Sequence, residues 1–213
     1  MPHDSFGISG TIFSDFFGHL PLLTIYTVRR MFSPMSTNGD LYERELKAIL
    51  SGDEKVIEKM IKTCTDEEKE SYLSMKDSPF MVVRAAGSHG VDLIALRWDF
   101  SFPIEVKSSA DHILHFSRSV RLGEQADWML QECSKSRILP IYAMRLKKSG
   151  NSLKGDPWRL FCIPCDFELK GSAGLLQRRI PKLSRGPSGN YIMNWEEGMK
   201  LSDFFRYTKP DME

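Results

Sequence analysis

Asp92, Glu105 and Lys107 are two acids and an amine spaced so that they could act together. They sit in two runs rich in Val, Ile and Leu, residues 88–96 and 103–109, joined by Arg97-Trp98-Asp99-Phe100-Ser101. So short a linker predicts adjacent antiparallel strands. With a period of two, Ile104 and Val106 face one side of the second strand, and Glu105 and Lys107 project together from the other. Asp92 is on the neighbouring strand. Two carboxylates brought this close repel unless a cation sits between them, and hard oxygen ligands with waters completing the shell suit Mg²⁺. Taken alone, an acid and an amine two residues apart on a strand are ordinary surface polarity, and such an ion pair contributes little. Their company argues for more: a helix carrying Glu43 lies upstream, Gly87 and Gly90 flank the turn into the first strand, and apolar residues surround the charges.

The elements that must hold these residues can be read in order. Apolar Leu41, Leu46, Ile49 and Leu50 predict a first helix from about Asp40 to Leu50. Asp40 with Glu43 three residues on resembles a capping box, which would give Glu43 a purely structural duty. Residues 51–78 read as an acidic helical insert of two short helices, one starting at Ser51-Gly52-Asp53 and carrying Val56, Met60 and Ile61, the other at Thr65-Asp66-Glu67-Glu68. An acidic surface there would lie away from any bound polyanion. Beyond the two site strands, Ala126, Met129, Leu130 and Cys133 predict a helix over 124–135 with a core-facing or dimer-facing stripe. Two further core strands follow, at 138–146 and 159–164. This succession predicts an α/β fold with a mixed central sheet of about five strands, the first helix on one side and the 124–135 helix on the other.

Length and composition are those of one globular domain: 213 residues, 41% hydrophobic and 27% charged. Residues 1–35 are apolar and aromatic, but Asp15, His19 and Pro21 interrupt them and no basic stretch precedes them, so they read neither as a membrane span nor as a signal peptide. They are expected to be either an extension upstream of a start at Met31 or Met35, or a patch for a dimer or partner. Four scattered cysteines give no disulfide framework and suggest a reducing, cytoplasmic setting. Cys162 and Cys165 lack a second ligand pair, so they read as strand thiols rather than a zinc site. His112 and His115 fall in an expected loop, read as contacts to a ligand or as exposed residues. The net charge of +1 hides an asymmetry, since residues 40–77 carry 7 bases against 11 acids and residues 78–213 carry 20 against 15. Lys170, Arg178, Arg179, Lys182 and Arg185, together with Arg145, Lys147, Lys148, Lys154 and Arg159, could cradle phosphates.

The motifs run in an order that resembles the archaeal Holliday junction resolvases of the PD-(D/E)XK nuclease superfamily. They are Gly39-Asp40-Leu41-Tyr42-Glu43-Arg44-Glu45, Val82 to Ser88, Gly90-Val91-Asp92-Leu93-Ile94-Ala95 and Ile104-Glu105-Val106-Lys107-Ser108, and the resemblance covers roughly residues 36 to 207. It implies a three-layer restriction-endonuclease-like core at 36–213 and an Mg-dependent endodeoxyribonuclease, with Mn²⁺ as the alternative ion. Asp92, Glu105, the Val106 carbonyl and Glu43 would bind the metal, and Lys107 would orient the attacking water. Arg44, Arg84, Ser88, Arg118 and Arg121 would contact DNA. The implied partners are a DNA four-way junction and a second copy of the chain in a homodimer, with a sliding clamp as an accessory candidate and no membrane. This chain departs from the family at the 51–78 insert, and at Glu132 and Ser136, where members often carry dimer-forming phenylalanines. Trp128 with Met129, or the first 35 residues, would then supply the apolar dimer surface. A repair or viral endonuclease with the same site is one alternative. A noncatalytic DNA-binding scaffold is another, against which the clustered acids argue.

Overall fold

The computed structural model describes residues 37–85, 90–147 and 154–210, apart from the side chains of 37–39 and Arg118. The 1–35 extension, Ser88 and Lys148 therefore lie outside the described residues. The first helix, α1 (Thr37–Leu50), is followed by α2 (Glu54–Met60) and α3 (Asp66–Leu73). Three strands come next, β1 (Met81–Arg84), β2 (Leu93–Leu96) and β3 (Ser101–Ser109), then β4 (Ile113–His115) and α4 (Val120–Ser136). The remainder comprises β5 (Ile141–Leu146), β6 (Trp158–Cys162), α5 (Gly171–Arg179), β7 (Ser184–Arg185), β8 (Tyr191–Asn194), β9 (Met199–Lys200) and α6 (Leu201–Tyr207).

Six strands form one sheet in the order β1-β2-β3-β5-β6-β9, with β3 and β5 parallel and the other pairs antiparallel. The sheet is mixed because α4 carries the chain from the end of β3 back to the start of β5, so that these two strands run parallel. Alternation along β5 shows how the layers stack. Ile141 and Ala143 pack with Leu46, Ile49 and Leu50 of α1, and Tyr142, Met144 and Leu146 pack with Ala126, Met129 and Cys133 of α4. The result is the expected three-layer α/β core. The sheet has six strands where about five are expected: β1, with Val82 buried between two exposed neighbours, and the two-residue β9 join the four strands read from the sequence. A second sheet, β4-β8-β7, had also not been anticipated.

Local details correct several expectations. Helix α1 begins at Thr37, so Asp40 lies inside it and cannot cap it; Leu41 is 56% exposed rather than part of the apolar face. The insert folds as read: Asp53 caps α2 by accepting from the Val56 amide at 3.1 Å, and Thr65 and Glu68 form a reciprocal capping box on α3. It is not a surface appendage, however, since Ile57, Met60, Tyr72 and Met75 belong to the α1-side core. Met129 is wholly buried and can form no interface, while Trp128 beside it is 38% exposed. Arg145 and Arg159 leave the phosphate-binding set. Both are buried, Arg145 holding Glu45 at 2.7 Å and Arg159 lying 3.7 Å over the Trp195 ring. The 112–115 loop is in part a strand, β4, and His112 Nδ1 meets Glu196 at 2.8 Å. Among the described residues all four cysteines are free thiols, and burial pushes Cys162 up to about 12 and Cys165 up to about 11.

Candidate active site

The β2–β3 pairing sets the position of the acids. Leu93 faces Ile104 across the two strands, and the ladder runs one step further, the Asp92 amide donating to the Ile104 carbonyl at 3.0 Å. This brings Asp92 next to Val106, whose amide donates to Asp92 Oδ2 at 2.7 Å. Gly90 makes the approach to β2 possible. Its φ of +77° is a conformation that side chains disfavour, and a Cβ there would come within 2.8 Å of the Gln125 carbonyl on α4.

Glu105 and Lys107 share a face, as the period of two requires, and Lys107 Nζ donates to Glu105 Oε1 at 2.6 Å and to Gln125 Oε1 at 3.2 Å. The second oxygen, Glu105 Oε2, is buried and has no hydrogen-bond partner among the described residues. Glu43 reaches the site from α1 and is held by Arg84 at 2.7 Å. Arg84 also holds Asp40, which in turn pairs with Arg44. Glu43, Asp92, Glu105, Val106 and Lys107 line one open cleft of about 290 Å³ together with Arg121, Leu122 and Gln125. Burial, then the neighbouring charge of Glu105, pushes the Asp92 carboxyl up from 3.8 to about 7, against the pull of the Val106 amide.

The cleft therefore unites the acids and the amine expected from the sequence and adds Arg121. Arg84 and Arg44 are engaged by acids, and Ser88 and the Arg118 side chain are outside the described residues. Sequence reasoning missed Gln125 and Tyr142. Gln125 tethers the lysine from the facing helix, one residue before the buried Ala126 of the α4 stripe. Tyr142 stands beside Glu105 in the parallel β3–β5 register, and its buried hydroxyl also has no partner among the described residues. No signal within its own strand marks Tyr142, because only the β3–β5 register places it there.

Among the described residues no three His, Cys, Asp or Glu side chains converge as a ready-made metal cage. Mg²⁺ does not require one, since it keeps several waters and takes one or two carboxylates. Asp92, Glu105 and Glu43 are the acids that could hold such an ion, with Glu105 Oε2 a buried acceptor that has no partner among the described residues.

The fold and cleft together define an α/β protein with a paired-carboxylate and lysine site formed where the start of β2 meets the middle of β3. No protein-family model matches the chain, and no curated protein matches it. Among solved structures it is similar to a Holliday junction resolvase, Hjc, from the archaeal hyperthermophile Archaeoglobus fulgidus. That similarity has 17% identity and a TM-score of 0.39 over 65% of this chain and 92% of the other.

Proposed function

We infer that the chain is a metal-dependent endodeoxyribonuclease whose substrate is the DNA four-way junction. The observation that carries the reading is the pair Asp92 and Glu105 on adjacent strands, with the buried, unpartnered Glu105 Oε2 and with Lys107 held between Glu105 and Gln125. A structural acid pair would be closed off by hydrogen bonds; this one retains capacity for a ligand.

Asp92, Glu105 and the Val106 carbonyl would hold Mg²⁺, or Mn²⁺, with Glu43 bearing on a water of the shell. The ion, when bound, would supply Lewis acidity to the scissile phosphate and lower the pKa of water. The residues themselves do the positioning. Lys107 uses two of its three N–H donors on Glu105 and Gln125, leaving the third to hold and orient a water for in-line attack. The Val106 amide keeps Asp92 Oδ2 in place. Arg121, exposed at the rim, is placed to bind a phosphate flanking the cut, and Arg84 keeps Glu43 turned toward the cleft.

Paired nicks across a four-way junction call for two sites related by a two-fold axis, so the working unit in this reading is a homodimer. Met81, Val83 and Ile94 are exposed apolar residues on the α4 side of the sheet, as is Trp128 on α4 itself, and they offer the surface for it. A light-scattering mass of one chain at micromolar concentration would refute the dimer.

The test of function compares four-way, flapped and linear DNA with Mg²⁺ and with a chelator. The expected result is cation-dependent paired nicking of the four-way junction in preference to the others. Equal cutting of linear duplex would make the chain a nuclease of another kind, and junction binding without any cutting would make it a scaffold.

A further inference from the structure

A groove of about 680 Å³, larger than the carboxylate cleft, lies where the tip of the β2–β3 hairpin meets α5 and α6. Asp92 and Trp98 stand at opposite ends of β2, about 20 Å apart at roughly 3.3 Å per strand residue. Trp98 is 85% exposed at the hairpin tip and contributes a flat indole to the groove, alongside Leu175 and Tyr207. The Arg179 guanidinium lies 4.2 Å from the Tyr207 ring centroid, so the two form a stacked cation and aromatic surface. Arg206 and Lys209 complete the wall.

Charge favours an anionic occupant. The one acid lining the groove, Asp99, is neutralised through both oxygens by Arg97, at 2.6 and 2.8 Å. Arg206 is paired with Asp203 at 2.9 Å, and Arg206 and Lys209 also border a smaller hollow lined by Glu67 and Glu70. Among the described residues neither Arg179 nor Lys209 is ion-paired with an acid. Trp98, Leu175 and Tyr207 are all exposed and together make an apolar patch within the groove.

We propose that this groove binds single-stranded DNA, with unpaired bases stacking on Trp98 and on the Arg179–Tyr207 pair and with phosphates on Arg206 and Lys209. Unpaired bases are required because duplex bases hide their faces in the helical stack, whereas exposed aromatic and guanidinium planes accept any base that is splayed out. The groove would give the protein a second hold on nucleic acid at the far end of the hairpin, favouring substrates with an unpaired tail. The binding itself does not depend on the cleavage reading, and measuring it without divalent cation keeps the two separable.

The experiment uses the full chain in chelator, titrated against a fluorescently labelled oligothymidine, with anisotropy and intrinsic tryptophan fluorescence as readouts. Quenching on binding is expected, as is about a tenfold loss of affinity in Trp98→Ala, in line with base-stacking losses on alanine substitution. Arg179→Ala should weaken binding by a similar factor, and Arg206→Ala should lower the slope of affinity against salt. These residues are exposed, so circular dichroism should be unchanged. Unaltered affinity in both Trp98→Ala and Arg179→Ala would overturn the proposal. So would competition by polyglutamate as effective as that by unlabelled oligothymidine, which would mark the groove as a site for acidic peptides.

Discussion

Two buried acids, Asp156 and Glu105, show how differently the same chemistry is used in this molecule. Asp156 is 1% exposed and closed on all sides: it accepts from the Tyr72 hydroxyl at 2.8 Å, the Trp158 amide at 2.9 Å and the Ser202 amide at 2.7 Å. Those three donors come from α3, β6 and α6, so one carboxylate ties the helical insert to the sheet and to the last helix. Glu105 is 3% exposed, yet one of its oxygens has no partner among the described residues, and the Lys107 ammonium on the other is itself shared with Gln125. A saturated buried acid is part of the frame, whereas an unsaturated one costs stability that a donor or a cation entering the cleft can offset. The contrast separates a carboxylate whose acceptors are all used from one that keeps an acceptor open.

Substitution at the unsaturated site should have the largest effect. Glu105→Gln or Asp92→Asn is expected to lower junction cleavage roughly a thousandfold or more, equivalent to about 4 kcal/mol of lost transition-state stabilisation, with junction binding retained or improved because repulsion toward phosphate is removed. Single-turnover cleavage alongside gel-shift binding measures both, and cutting that survives either change would remove these acids from the chemistry. At the saturated site the expected loss is in folding. Asp156→Asn sets an amide N–H against at least one of the Trp158 and Ser202 donors, and should destabilise the chain by about 3 kcal/mol in urea unfolding while leaving the activity of the folded fraction intact. A neutral effect on stability would dissolve the distinction drawn between the two acids.

A smaller effect concerns pH. Because Asp92 is raised from 3.8 to about 7, the folded chain keeps a proton that the unfolded chain has lost between those values. Stability without divalent cation should therefore be full below about pH 4, fall as the pH rises toward 7 and level off above it, a total change of about 2–4 kcal/mol. Asp92→Asn should flatten that fall, since its side-chain oxygen can still accept from Val106. A wild-type profile that is flat from pH 4 to 8 would mean that Asp92 ionises without strain and is not under pressure from Glu105.

Much of this frame was legible in the chain, for identifiable reasons. A period of two predicted that Glu105 and Lys107 share a face, and a four-residue capping pattern located α3 at Thr65. Both are local rules, and each needs only neighbours in sequence. Asp40 misled because a capping pattern three residues ahead of Glu43 looks the same whether it starts a helix or lies inside one. The structure instead uses Asp40 and Glu43 together to hold Arg84, 41 or more residues away. Arg145 and Arg159 were indistinguishable from solvated bases until their partners, Glu45 on α1 and Trp195 after β8, were in place. Tyr142 became visible only once β3 and β5 were aligned. Side chains whose role depends on long-range register carry no mark in their own segment, which is why the acids, Lys107 and Arg121 could be named from sequence and Gln125 and Tyr142 could not.

Asp92 and Glu105 would together seat a divalent cation, and direct binding tests this. Mn²⁺ titrated into the metal-free protein and followed by electron paramagnetic resonance should show about one ion bound per chain, with Mg²⁺ competing for it. Glu105→Gln should weaken that binding at least tenfold, and Asp156→Asn, at temperatures where it stays folded, should leave it unchanged. Equal Mn²⁺ affinity in the wild type and in Glu105→Gln would contradict the account.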